Sequence, residues 1–136
     1  MTPYRRRVQY YETDMMGVTH HANYIHFMEE ARIDFMDQLG YPYAEMEKNG
    51  VVSPVTSVSC EYKKPSTFGD ELTVAVSVQA FNGVVLTIGY EISNSAGELV
   101  ARARSEHVFL TRSGAFVRVK RELPGFYEAL IKSAAR

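Results

Sequence analysis

Residues 71–111 consist of three runs in which apolar side chains return at every second position. Leu72, Val74, Val76, Val78 and Ala80 make the first, Val84, Leu86, Ile88, Tyr90 and Ile92 the second, and Leu99, Ala101, Ala103, Ser105, His107 and Phe109 mark one face of the third. A period of two belongs to a strand with one face buried. Asn82-Gly83 and Ser95-Ala96-Gly97 separate the runs, and such short turns join only antiparallel neighbours. A further run over 52–62 carries Val52, Pro54, Thr56, Val58, Cys60 and Tyr62 at alternate positions, with Pro54 marking an edge or a distorted start. Residues 4–11 read as a first strand with Val8 and Tyr10 on one face, and Arg5, Arg6 and Arg7 as its solvated end. After Ser113-Gly114 a short last strand is expected over 115–119, then a helix over 123–135.

One segment breaks this pattern. Tyr24, Met28, Ala31, Phe35 and Leu39 form an apolar stripe at helical spacing, widened by Ile25, Phe27 and Met36. His26, Glu30, Asp34, Asp37 and Gln38 give the helix a polar edge. The helix starts within 19–24, with Thr19 and Asn23 as alternative caps, and ends at Gly40, with Pro42 blocking continuation. A short second helix is expected over 43–49. One antiparallel sheet with one long helix is an α+β layer arrangement. With no linker or repeat, residues 1–136 are expected to form a single domain.

The net charge of −1 excludes a typical nucleic-acid binder, which carries a basic excess. No apolar run approaches membrane-spanning length, and no apolar core follows the basic N-terminal residues as in a signal peptide. A single cysteine, Cys60, leaves no internal disulfide to form, which fits a cytoplasmic protein.

The chemistry-bearing residues gather between the first strand and the long helix. Asp14 sits there with Gly17 three residues on. An aspartate in a turn commonly serves the turn's own hydrogen bonds. Beside a helix N-terminus, however, an ionised carboxylate can attack a carbonyl, or activate water toward it, while free N–H groups bind the carbonyl oxygen. Gly17 permits a backbone shape closed to other residues and a close substrate approach. His21 is a candidate acid–base group. His20, His21 and His26 with Glu29 and Glu30 lack the spacing of a catalytic zinc site. Cys60 has no local base, Ser53, Ser57 and Ser59 lack a nucleophile elbow, and no phosphate-cradling glycine loop is present.

Asp14, Gly17, His21 and Tyr24 form D-x-x-G-x-x-x-H-x-x-Y, and Phe27, Glu29 or Glu30, Ala31 and Arg32 continue it as F-x-E-x-A-R. This resembles the signature of the 4-hydroxybenzoyl-CoA thioesterase family of hot-dog proteins. The resemblance implies a hot-dog fold, in which a curled antiparallel sheet of five or six strands surrounds the central helix. It implies an acyl-CoA thioesterase, with Asp14 as nucleophile or general base and a backbone N–H aligned with His21 polarising the thioester carbonyl. Tyr24, with Tyr11 near it, would line the acyl pocket. Lys63 and Lys64, and beyond them Arg102, Arg104, Arg112 and Arg118, are the candidate cations for CoA phosphates. Many relatives carry a basic residue where this chain reads Gly83-Val84-Val85-Leu86-Thr87. The resemblance implies no metal and no cofactor, a CoA or acyl-carrier-protein thioester as substrate, and a homodimer or homotetramer joined edge to edge. Two other readings stay open: a hot-dog hydratase or dehydratase using His21 with Asp14, and a non-catalytic acyl-CoA-binding module.

Overall fold

A computed structural model describes residues 1–135. In chain order it has β1 (Tyr4–Arg7), a 3₁₀ turn (Tyr10–Glu12), α1 (Asn23–Leu39), α2 (Tyr43–Lys48), β2 (Val51–Val52), β3 (Val55–Tyr62), β4 (Glu71–Phe81), β5 (Leu86–Ser93), β6 (Leu99–His107), β7 (Leu110–Thr111), α3 (Val119–Glu122) and α4 (Pro124–Ala134). The main sheet runs β1-β4-β5-β6-β3, and β2 pairs with β7 as a separate ribbon. The chain divides into two compact units. One comprises Met1–Phe35, Ser59–Val76 and Tyr90–Ala103; the other comprises Met36–Val58, Ser77–Gly89 and the chain from Arg104 onward.

The turn signals behave as their chemistry dictates. The Asn82 carboxamide oxygen accepts the Val84 and Val85 N–H groups at 2.9 and 2.7 Å, and Gly83 takes φ +90°. The long helix stops where Gly40 adopts φ +94°. β5 shows where alternation misleads. It lies in the middle of the five strands, and Leu86 to Tyr90 are buried without interruption, as a strand covered on both faces requires.

Several expected boundaries move. The last alternating run, expected as one long strand over 98–111, breaks after His107, and Leu110–Thr111 forms the separate β7. The first strand ends at Arg7, not at 11, because the Gln9 N–H turns back to the Glu12 carboxylate at 2.7 Å and opens the 3₁₀ turn. Tyr10 and Tyr11 then point outward, 75% and 79% exposed, so Tyr10 does not share a face with buried Val8. The 52–62 run is cut at Ser53–Pro54 into β2 and β3, since proline cannot donate to a ladder. No strand forms over 115–119: Phe116 makes a lone bridge to Leu110, and Val119 opens α3.

In the first unit, Val8, Tyr24, Phe27, Met28, Leu72, Val74, Ile92 and Val100 are buried core residues. One ion cluster is set among them. The Arg6 guanidinium meets both Glu12 oxygens, at 2.5 and 2.6 Å, while its Nε donates to Glu30 at 3.0 Å. Tyr4 donates to the same Glu30 at 3.1 Å, and the Arg6 guanidinium lies 4.7 Å from the Phe27 ring centre. This corrects the reading of Arg6 as a solvated strand end. β1 is antiparallel to β4, with Arg6 opposite Leu72. Burial pushes the Glu12 carboxyl up, but the Arg6 guanidinium and the Gln9 N–H outweigh it and hold the carboxyl below its ordinary range. The same hydrogen bonds raise Arg6.

In the second unit, Phe81, Phe109, Phe126 and Tyr41 make a chain of ring contacts with centroids 5.1–6.2 Å apart, and Phe126 and Leu130 anchor α4.

Arg6→Ala leaves Glu12 buried without its cation and is expected to cost about 3–5 kcal/mol of unfolding free energy, read by urea denaturation. Because the folded-state carboxyl of Glu12 is lowered, its stabilisation is complete above the ordinary carboxylate pKa and is lost as the pH falls through the lowered value. Glu12→Gln is therefore expected to flatten the loss of stability below about pH 4.

Candidate active site

The segment between the 3₁₀ turn and α1 is held at both ends. Thr13 and Thr19 form an isolated antiparallel bridge, and the Asp14 N–H donates to the Val18 carbonyl at 2.9 Å. Gly17, at φ +81°, reverses the chain inside this small loop and returns its N–H to the Asp14 carbonyl at 2.9 Å. The Asp14 Oδ1 accepts the Met16 N–H at 2.9 Å, which orients the carboxylate, and its other oxygen has no hydrogen-bond partner among the described residues.

The loop before β4 grips the same turn from outside. The Thr19 N–H donates to the Ser66 carbonyl at 2.7 Å, and the hydroxyls of Thr19 and Tyr24 both meet the Ser66 hydroxyl, at 2.6 and 2.7 Å. Thr67 adds a hydrogen bond to the Gly17 carbonyl at 2.7 Å. Burial, the largest influence, pushes the Tyr24 phenol up, so it stays protonated.

Neither expected cap serves the start of α1. The Thr19 hydroxyl is spent on Ser66, and the Asn23 amide donates to the Glu12 carbonyl at 2.9 Å. In the turn just before the helix, the His20 Nδ1 accepts the Ala22 N–H at 3.2 Å. The backbone groups of this entry turn can be followed one by one. The His20 N–H goes to the Glu12 carbonyl, the His20 carbonyl takes the Asn23 N–H, and the His21 carbonyl takes the Tyr24 N–H. The Ala22 carbonyl takes the Ile25 N–H. The His21 N–H is the exception and has no acceptor among the described residues.

A cleft of about 290 Å³ opens over this turn. Asp14, His21 and Tyr24 line it together with Lys63 and Lys64, so five of the sequence-derived candidates converge on one cavity. Gly17 shapes the turn, while its neighbours Met16 and Val18 supply cleft wall. Tyr11 faces solvent at 79% exposure and is not among the lining residues. The His21 ring stacks on His20 with centroids 4.3 Å apart, and no hydrogen bond joins it to Asp14 among the described residues.

Both lysines are exposed and ion-paired, Lys63 with Glu61 at 2.8 Å and Lys64 with Glu98. Lys63 holds the Glu61 carboxyl below its ordinary range, and Lys64 does the same for Glu98. Arg102 pairs with Glu91 at 3.6 Å. Arg112, in the second unit, donates to the Glu47 carbonyl at 2.5 Å.

Tyr62, Thr19 and Pro65 also line the cleft and carry no signal in a sequence motif. Tyr62 reads only as one more alternating strand residue. Its hydroxyl donates to the His21 carbonyl at 3.0 Å, and its ring sits edge-on to His21 and Tyr24 at 6.2 and 5.4 Å. Burial, and then the neighbouring Cys60 thiol, push the Tyr62 phenol up to about 12.

Comparison with known proteins bears on this arrangement. The description of the thioesterase-like superfamily matches residues 8–130. YneP of Bacillus subtilis, whose designation as an acyl-CoA thioesterase is provisional, is 38% identical over 127 residues, covering 93% of this chain and 92% of its own. A 1,4-dihydroxy-2-naphthoyl-CoA hydrolase from Thermosynechococcus vestitus is 32% identical over 108 residues, covering 79% of this chain and 74% of its own. The crystal structure of a DHNA-CoA thioesterase from Staphylococcus aureus superposes with a TM-score of 0.94 at 34% identity, over 98% of this chain and 91% of that one. No helix among the described residues is long and apolar enough to cross a membrane. The five-stranded sheet, the long helix and the helix that follows them are those of the hot-dog fold, and the chain belongs to the thioesterase-like superfamily.

Proposed function

We propose that the protein hydrolyses an acyl-CoA thioester to a free acid and CoA, with Asp14 and the His21 backbone as its chemical centre. The observation that carries this reading is that Asp14, with one carboxylate oxygen unpartnered among the described residues, and His21, whose N–H has no acceptor among them, line the same cleft. The thioester carbonyl oxygen binds the His21 N–H, which stabilises the negative charge that develops as the carbonyl becomes tetrahedral. Asp14 then acts in one of two ways. As a nucleophile it forms a carboxylic anhydride with the acyl group and expels the CoA thiolate, which takes a proton from water. A second attack by water then restores the carboxylate. As a general base it takes a proton from water while that water attacks directly; the tetrahedral intermediate then breaks its C–S bond, and the departing CoA thiolate takes up that proton.

Lys63 and Lys64 bind the CoA phosphates at the cleft rim. Their present partners are exposed carboxylates, and such solvent-screened ion pairs contribute little, so exchanging a carboxylate for a phosphate costs little. Met16, Val18, Tyr24 and Pro65 give the cleft the apolar surface an acyl group needs. The absence of a hydrogen-bonded His21–Asp14 pair among the described residues favours hydrolysis over hydration or dehydration. The superfamily match running from residue 8 to 130 supports treating the chain as one domain.

The protein is further proposed to work as a homodimer joined along β3. That strand forms an edge of the main sheet, and its eight residues expose Val55, Val58 and Tyr62 by 52%, 42% and 48%. An unpaired edge of this length is a template for pairing with a second copy.

Asp14→Asn retains an oxygen to accept the Met16 N–H, so the turn persists while the carboxylate chemistry goes. Thiol release from the best member of a panel of aromatic, short-chain and medium-chain acyl-CoAs is expected to fall about 10²–10⁴-fold. Full activity in this variant removes Asp14 from the mechanism. For the edge, Val58→Lys is expected to shift the protein toward monomer in light scattering; an unchanged mass places the interface elsewhere.

A further inference from the structure

The geometry points to Tyr62 as a positioning residue that aims the His21 N–H into the cleft by holding the His21 carbonyl, a role that rests on the reading of that N–H as the oxyanion donor. His21 lies between two peptide planes. The plane on its N-terminal side is fixed through the His20 carbonyl, which takes the Asn23 N–H at 3.0 Å. The plane on its C-terminal side carries the His21 carbonyl and the Ala22 N–H, and its two local bonds, from the Tyr24 N–H to the carbonyl and from the Ala22 N–H to His20 Nδ1, are both long, at 3.2 Å. The Tyr62 hydroxyl reaches the same carbonyl at 3.0 Å from β3, a strand distant in sequence, and is its second donor. The His21 N–H shares its rigid plane with the His20 carbonyl, so Tyr62 acts on it across the His21 Cα: with the second plane held as well, rotation about that Cα is restricted before substrate arrives, and an N–H already aimed needs no reorganisation as charge develops.

The hydroxyl and the ring of Tyr62 do separable work. The hydroxyl serves the backbone, while the ring stands edge-on to His21 and Tyr24 as cleft wall. The phenol lies well above neutrality, so it remains a donor throughout the working pH range. Nearly half of the residue is exposed on an edge strand of the single chain, so trimming the oxygen alone does not open a core cavity, and because that strand is the proposed dimer edge the oligomeric mass is followed beside kcat.

Tyr62→Phe and Tyr62→Leu, measured beside wild type and Asp14→Asn, test the assignment. Tyr62→Phe is expected to lower kcat about tenfold, the factor of one hydrogen bond, with KM, melting temperature and oligomeric mass unchanged. Tyr62→Leu, which also removes the ring, is expected to raise KM as well. A kcat for Tyr62→Phe within about twofold of wild type overturns the assignment, as does a fall in kcat matched by a loss of melting temperature. Amide NMR supplies a readout independent of turnover. Tyr62→Phe is expected to move the ¹⁵N resonance of Ala22, whose peptide group includes the His21 carbonyl, and an unmoved resonance overturns the assignment. Wild-type protein that turns over no thioester fails the proposed function, and the Ala22 resonance still decides whether Tyr62 holds the peptide.

Discussion

Glu12 joins the pieces on which the candidate site depends. Its side chain takes the Arg6 fork and the Gln9 N–H, and its backbone carbonyl takes the His20 N–H and the Asn23 amide. One residue thus ties β1, the 3₁₀ turn and the entry to α1 together. Glu12 is only 2% exposed, so its carboxylate is tolerable there only with its cation and hydrogen bonds in place. The ion cluster is an expensive arrangement whose return is geometry: it fixes the chain on either side of Asp14.

The second hold comes from hydroxyl groups. The Ser66 hydroxyl meets those of Thr19 and Tyr24, the Thr67 hydroxyl donates to the Gly17 carbonyl, and the loop before β4 becomes a strap across the turn. Gly17 is the member no other residue replaces without strain, because its φ of +81° lies in the left-handed region. Between the ion cluster and the strap, the loop from Asp14 to Val18 has few ways to move. This is the support that a nucleophile or base requires if it is to meet a carbonyl already seated on the His21 N–H.

The sequence disclosed the parts of this design that obey local periodicity or local chemistry. β4 runs over 71–81 as its alternation predicts, the stripe from Tyr24 to Phe35 is buried, and both glycine turns form as their residue types require. Asp14, His21, Tyr24, Lys63 and Lys64 meet on one cleft, three of them from the motif between the first strand and the long helix and two from the segment directly after the 52–62 run. The misses share a cause. Arg6 in a basic triplet looks solvated until Glu12 and Glu30 are brought to it, and Glu30 lies 24 residues away. Tyr62 occupies an ordinary strand position, and its bond to His21 spans 41 residues. Thr19 read as a cap because its only visible partners were local, whereas its hydroxyl reaches Ser66 across 47 residues. Long-range side-chain partnerships leave no periodic trace.

The account turns on where the thioester carbonyl rests. A crystal structure with an acyl-CoA analogue whose thioester sulfur is replaced by methylene, keeping the carbonyl but not the scissile bond, measures this directly. The account predicts the carbonyl oxygen about 2.7–3.1 Å from the His21 backbone nitrogen, with the carbonyl carbon facing the uncommitted oxygen of Asp14. A carbonyl seated on other donors, with the His21 N–H turned to solvent, would contradict it.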